Sequence, residues 1–205
     1  MEKRFRNLWE RINGKQDPKE VFGYLDSLYS QEGRHYHTLT HIDQCLKELK
    51  HAKSIAEDFD ALEFALWYHD VIYDTQRNDN EEESANLASK VCRTNELAEL
   101  FSSKVYSLIL GTAGHITSDD VDAQLMLDVD LSIFGQDENT FRTYERQIRQ
   151  EYIWVPERTY NQKRSEILQG FLDRKLIYQT DLFQGRYEGL ARRNLKDSIE
   201  RLMKT

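Results

Sequence analysis

The stretch Phe64 to Asp74, FALWYHDVIYD, constrains this chain more than any other. From Phe59 to Tyr73 nearly every residue is apolar, including Leu62, Leu66, Trp67, Tyr68, Val71 and Ile72. A segment apolar on all sides is expected to be a helix at the buried centre of a domain. His69 and Asp70 are set into it side by side, with Asp74 one helical turn later. A carboxylate taken out of water without a partner is costly or gives up its charge. A cation is therefore expected beside Asp70. Either it is a basic side chain, with His69 a hydrogen-bonded core histidine, or it is a metal ion. The stretch alone leaves both open.

The rest of the chain reads as helices around that centre. Prolines number 2 and glycines 9 in 205 residues, and β-branched runs are scarce, so the expected fold is all-α. Asp17-Pro18-Lys19-Glu20 combines a cap, a proline in the first turn and a reciprocal glutamate, the pattern of a helix start. Further helices are expected over Leu39 to Leu49, from Asn80 to about Leu97 and over Phe101 to Thr112. Asp119 and Asp120 should open another that runs to Phe134 and stops at Gly135. Three more follow, over Asp137 to Val155, Glu157 to Leu176 and Leu182 to Met203. No repeat, low-complexity tract or linker interrupts them, so a single domain over residues 1–205 is expected. Its motif region would span about 34–135, with helices 137–205 packed on it.

Charge and cysteine content narrow the function classes. With 36 acidic against 28 basic residues the net charge is −8, which disfavours a surface that coats nucleic acid. Cys45 and Cys92 make no disulfide framework, and neither a signal peptide nor a membrane-length apolar run is apparent. A cytoplasmic location is expected.

Residues of metal-ligand type recur elsewhere. His37 and His41 lie four apart at a helix start, His115 follows an apolar helix, and Asp128 and Asp130 interrupt the run LMLDVDLSIF. Neighbouring helical residues diverge by about 100°, so His69 and Asp70 need ligands from other helices to close a site. Histidines and carboxylates from separate helices would make a nitrogen–oxygen site for a divalent ion, with positions left for water.

The order His, then His-Asp, then Asp resembles the HD superfamily of metal-dependent phosphohydrolases. Tyr36-His37-Thr38-Leu39-Thr40-His41 is similar to the YHNxxH segment of the cyclic-nucleotide phosphodiesterases, distant members of that superfamily. Asp130-Leu131-Ser132 matches their final Asp-Leu-Ser, and the whole looks most like small stand-alone bacterial HD proteins. The resemblance implies an HD-type helical fold and a ligand set of His41, His69, Asp70 and Asp130. It implies His37 as the acid that protonates the leaving oxygen. In simpler HD proteins the first ligand lacks a histidine four residues before it, so the exchanged assignment, His37 as ligand and His41 as helper, stays open.

The chemistry agrees with such a site. A divalent ion (Mn, Fe, Co, Mg, Ni or Zn, one or two per chain) would lower the pKa of a bound water and polarise phosphoryl oxygens. Asp70 can face both ion and water. Asp74 is a candidate acceptor behind a ligand histidine. Arg34 could grip a substrate phosphate through its guanidinium, and His115 could bond a phosphate at the rim. The expected activity is hydrolysis of a small phosphate ester, with a nucleotide as the leading class; the expected partner is that substrate, and assembly with a second copy of the chain stays open. Two alternatives stand beside it: an HD-type oxygenase holding two irons, for which His115 would be an extra ligand, and a non-catalytic ligand-binding helical module.

Overall fold

The computed structural model describes residues 1–114 and 119–204. The described residues form α-helices joined by turns, with no strand among them. The all-α expectation therefore holds. None of these helices is long and apolar enough to cross a membrane. The chain divides into two compact units, Met1–Leu127 and Asp128–Thr205, and the division falls inside a helix.

The first unit holds α1 (Glu2–Arg11), α2 (Pro18–Tyr29), α3 (Leu39–Leu49), α4 (Phe59–Tyr68), α5 (Asn80–Thr94), α6 (Glu99–Leu110) and most of α7 (Val121–Asp130). At the start of α2 the Asp17 carboxylate accepts from the Lys19 amide and Pro18 occupies the first turn, as its sequence implies. Asn13, at φ +59°, turns the chain sharply after α1. Helix α4 packs against α1, α3, α5 and α6, and Ala61 through Tyr68 are all buried. Its start is pinned by Asp58, which accepts from the Ala61 amide, and by buried Asp122. The Asp122 carboxylate accepts from the amides of Glu57 and Asp58 and pairs with Lys104. Glu63, buried inside α4, is neutralised by Arg4 at 2.7 Å and Arg11 at 2.6 Å, which tie α1 to it.

The central helix is shorter than its apolar run. It ends at Tyr68 rather than near Asp74, because the next residues find other hydrogen-bond partners. Arg34 donates to the carbonyls of Asp70 and Val71 at 2.7 and 2.8 Å. Ser84 on α5 accepts from the Ile72 amide, and Asn80 bonds both the amide and the carbonyl of Asp74. With these groups satisfied from outside, nothing is gained by continuing the helix. Asn80 is accordingly not a cap for α5, whose flanking Asp79 makes no side-chain cap bond either.

The second unit holds the end of α7, a 3-10 turn over Leu131–Gly135, α8 (Glu138–Glu151), α9 (Glu157–Leu172) and α10 (Asp181–Leu202). Helix α10 packs on α9 and on the 3-10 turn. A side chain at Gly135 would run into the Tyr187 ring, so glycine lets α10 sit close. Asp128, fully buried, accepts from the Gln179 amide at 2.7 Å, the Thr180 amide at 2.8 Å and the Thr180 hydroxyl at 2.6 Å. It closes the start of α10 from a distance.

Candidate metal centre

His41 lies in the first turn of α3, whose start is capped by Thr38 accepting from the Thr40 amide. Leu39, Ile42, Cys45, Leu46 and Leu49 drive the helix inward by their spacing, and His41 goes with them. His69 is the residue flanking the end of α4, and Asp70 follows in the turn. Both histidines are buried, at 2 % and 1 % side-chain exposure, whereas Asp70 retains 18 %, so the group opens on its carboxylate side.

The three groups converge. His69 Nε2 stands 3.0 Å and His41 Nε2 3.4 Å from Asp70 Oδ2, and the two ring nitrogens are 3.3 Å apart. Asp130, the last residue of α7, belongs to the second unit.

One hydrogen bond bears on the fit. His69 Nδ1 lies 3.0 Å from the Leu66 carbonyl. A carbonyl can only accept, so Nδ1 carries the proton and Nε2 of the neutral ring turns its lone pair toward Asp70. Two lone pairs facing each other demand a proton or a cation between them, and a carbonyl behind a ligating histidine is the usual second support of a metal. Burial alone would raise the Asp70 carboxyl. Where protons rather than a metal fill that place, the positive charges of His69 and His37, with hydrogen bonds from His41 and His69, outweigh burial and hold it well below the ordinary carboxylate range. Such a set can hold a divalent ion.

His37 sits apart from the ligand atoms. It occupies the turn before α3 rather than a helix, so it does not share a helical face with His41. Its ring stacks on Tyr73 at 4.0 Å between centroids, meets Tyr36 edge-on at 5.0 Å, and is 6.0 Å from the His41 ring. Arg34 donates to the His37 carbonyl as well as to those of Asp70 and Val71, and lies over the rings of Tyr29 and Tyr73. Its guanidinium holds the His37 and Asp70 turns together, which is a positioning role and not the phosphate grip expected of it.

Asp74 also departs from expectation. It is exposed in a loop beyond α4, where its carboxylate accepts from the Gln76 amide at 2.9 Å. A residue behind a ligand histidine would have to be inside. Asp128, of ligand type in sequence, is consumed by Thr180 and Gln179. His115 lies outside the described residues, and with it the feature that favoured a second iron. Two contributors were not singled out by sequence. Tyr73 holds the His37 ring, and Cys45 lies one turn after His41, its Sγ 3.6 Å from Nδ1. Cys45 was within reach of spacing alone, by its i, i+4 relation to His41, whereas Tyr73 meets a ring thirty-six positions away.

No family model, no curated protein and no solved structure matches this chain. The functional reading rests on the side chains.

Proposed function

We propose that the chain is a metal-dependent hydrolase of small phosphate esters, akin to the HD superfamily its motifs resemble. The observation that carries this reading is the convergence of His41 Nε2, His69 Nε2 and Asp70 Oδ2 within 3.4 Å. Two imidazoles and a carboxylate suit a borderline divalent ion and leave positions for water and substrate oxygens. A bound ion would supply a water of lowered pKa and a counter-charge for the phosphoryl group.

The protein's own residues divide the remaining work. Asp70, open on one side, accepts a proton or hydrogen bond from the attacking water. His69 is held in one tautomer by Leu66, and its orientation is thereby fixed. His37 is half-buried and close enough for its charge to act on Asp70. A histidine so placed can hand a proton to the departing oxygen. Tyr73 and Tyr36 restrict its ring to the orientation that task needs.

Elemental analysis of the purified protein should find about one transition-metal ion per chain. A panel of phosphomonoesters, dinucleotides and cyclic nucleotides with added Mn²⁺, Fe²⁺, Co²⁺ or Mg²⁺ should then reveal turnover. Protein that binds none of these ions and cleaves nothing in the panel would reject the reading.

A further inference from the structure

Within the second unit, α8, the start of α9 and the end of α10 enclose a cleft of about 350 Å³ that the metal centre does not use. Four arginines line it, Arg142, Arg146, Arg149 and Arg201, against two glutamates, Glu145 and Glu157. In a chain of net charge −8 this is a local reversal of sign.

The bonding within the cleft sharpens the imbalance. Glu145 is already neutralised, because Arg164 reaches one oxygen at 2.6 Å and the Ser198 hydroxyl donates to the other at 2.6 Å. Arg149 donates to the Tyr152 and Val155 carbonyls at 2.6 and 3.1 Å and lies over the Tyr160 ring, so its bonds do not cancel its charge. Arg146 donates to the neutral Thr143 hydroxyl at 2.9 Å. Arg142 pairs with Glu138 across one exposed turn, a contact that contributes little and yields easily to a stronger anion. Glu157 lies in the first turn of α9, where the helix N-terminus already favours its charge. Arg142, Arg146 and Arg149 thus bring three guanidiniums to a cleft in which Glu145 is already occupied, in a concavity large enough for several phosphoryl groups.

We infer that this cleft is a binding site for a polyanion carrying two or more phosphate groups. Arginine forks recognise phosphate oxygens in pairs and are too weakly hydrated to resist it. Arg149, fixed by two carbonyls and a ring, forms a preset floor, and Arg142, Arg146 and Arg201 supply the adaptable contacts. The site is separate from the proposed catalytic centre and does not depend on what that centre hydrolyses.

Inorganic tripolyphosphate is a suitable probe, titrated calorimetrically into full-length protein carrying Asp70→Ala, so that the metal centre cannot contribute. One equivalent should bind. Arg142→Gln with Arg146→Gln should weaken binding on the order of 100-fold, about tenfold for each charged hydrogen-bond donor lost. Arg201→Gln, made separately, should weaken it about tenfold, and helical circular dichroism should be unchanged in each. Absence of binding to the Asp70→Ala protein, or equal affinity with and without these arginines, overturns the proposal.

Discussion

Asp70, in the turn after α4, faces two imidazoles, whereas Asp128, near the end of α7, faces two amides and a hydroxyl. In sequence each is an acid interrupting an apolar run. In the folded protein they titrate in opposite directions. Groups that can carry positive charge hold Asp70 well below its ordinary range. Burial pushes Asp128 up to about 6, and the donors from Thr180 and Gln179 only partly offset it. Neutral donors satisfy a carboxylate's lone pairs without neutralising its charge. A buried acid surrounded by neutral donors is thus a structural joint, and one surrounded by imidazoles is poised for a cation.

The widest test of that contrast is to remove each carboxylate. Asp70→Ala should lower metal affinity by more than about 100-fold and abolish turnover with it, as read by elemental analysis and the phosphate-ester assay. Full metal content in that variant would remove Asp70 from the centre. The two histidines of the YHxxxH segment should then separate in the same assays. His41→Ala should lose the metal, whereas His37→Ala should keep it and lose about 10²–10⁴-fold in rate. The reverse pattern would make His37 the ligand and His41 the helper.

Asp128→Ala should leave metal content intact and instead cost about 2–4 kcal/mol of stability, because buried amides of Gln179 and Thr180 lose their acceptor. The size of that cost should depend on pH. A carboxyl whose folded pKa exceeds its unfolded value binds its proton more tightly when folded, so its contribution is greatest below the unfolded value of 3.8 and declines as pH rises through about 6. The stability gap between wild type and Asp128→Ala, measured by denaturant titration, should narrow by on the order of 2 kcal/mol between pH 4 and pH 7. A gap that widens over this range would contradict the assignment.

Much of the fold was legible because helices are local. The Asp17–Pro18 start, the amphipathic spacing of α3 and the apolar run of α4 each carry their cause in neighbouring residues. That His41, His69 and Asp70 come together was legible as well, since they stand in otherwise apolar segments. What was not legible depends on distant partners. The end of α4 is decided by Arg34, Ser84 and Asn80, which no window around Tyr68 contains. The same holds for Asp128, whose partners lie about fifty residues on, at Gln179 and Thr180. Arg34 was expected to grip a substrate phosphate because nothing nearby reveals the carbonyls it meets.

That Arg34 clamp also orders events in time. Helix α4 can form from contacts within a few residues, but the turn at Asp70 acquires its shape only when a segment about thirty-six positions earlier has come back to it. Closing that loop has an entropic cost that the helix does not bear. Amides within α4 should therefore exchange with solvent deuterium more slowly than those of Val71 to Asp74. The geometry that poises Asp70 should thus open more readily than the helix before it, and a ligand gripping it would be felt first as slower exchange in those few residues.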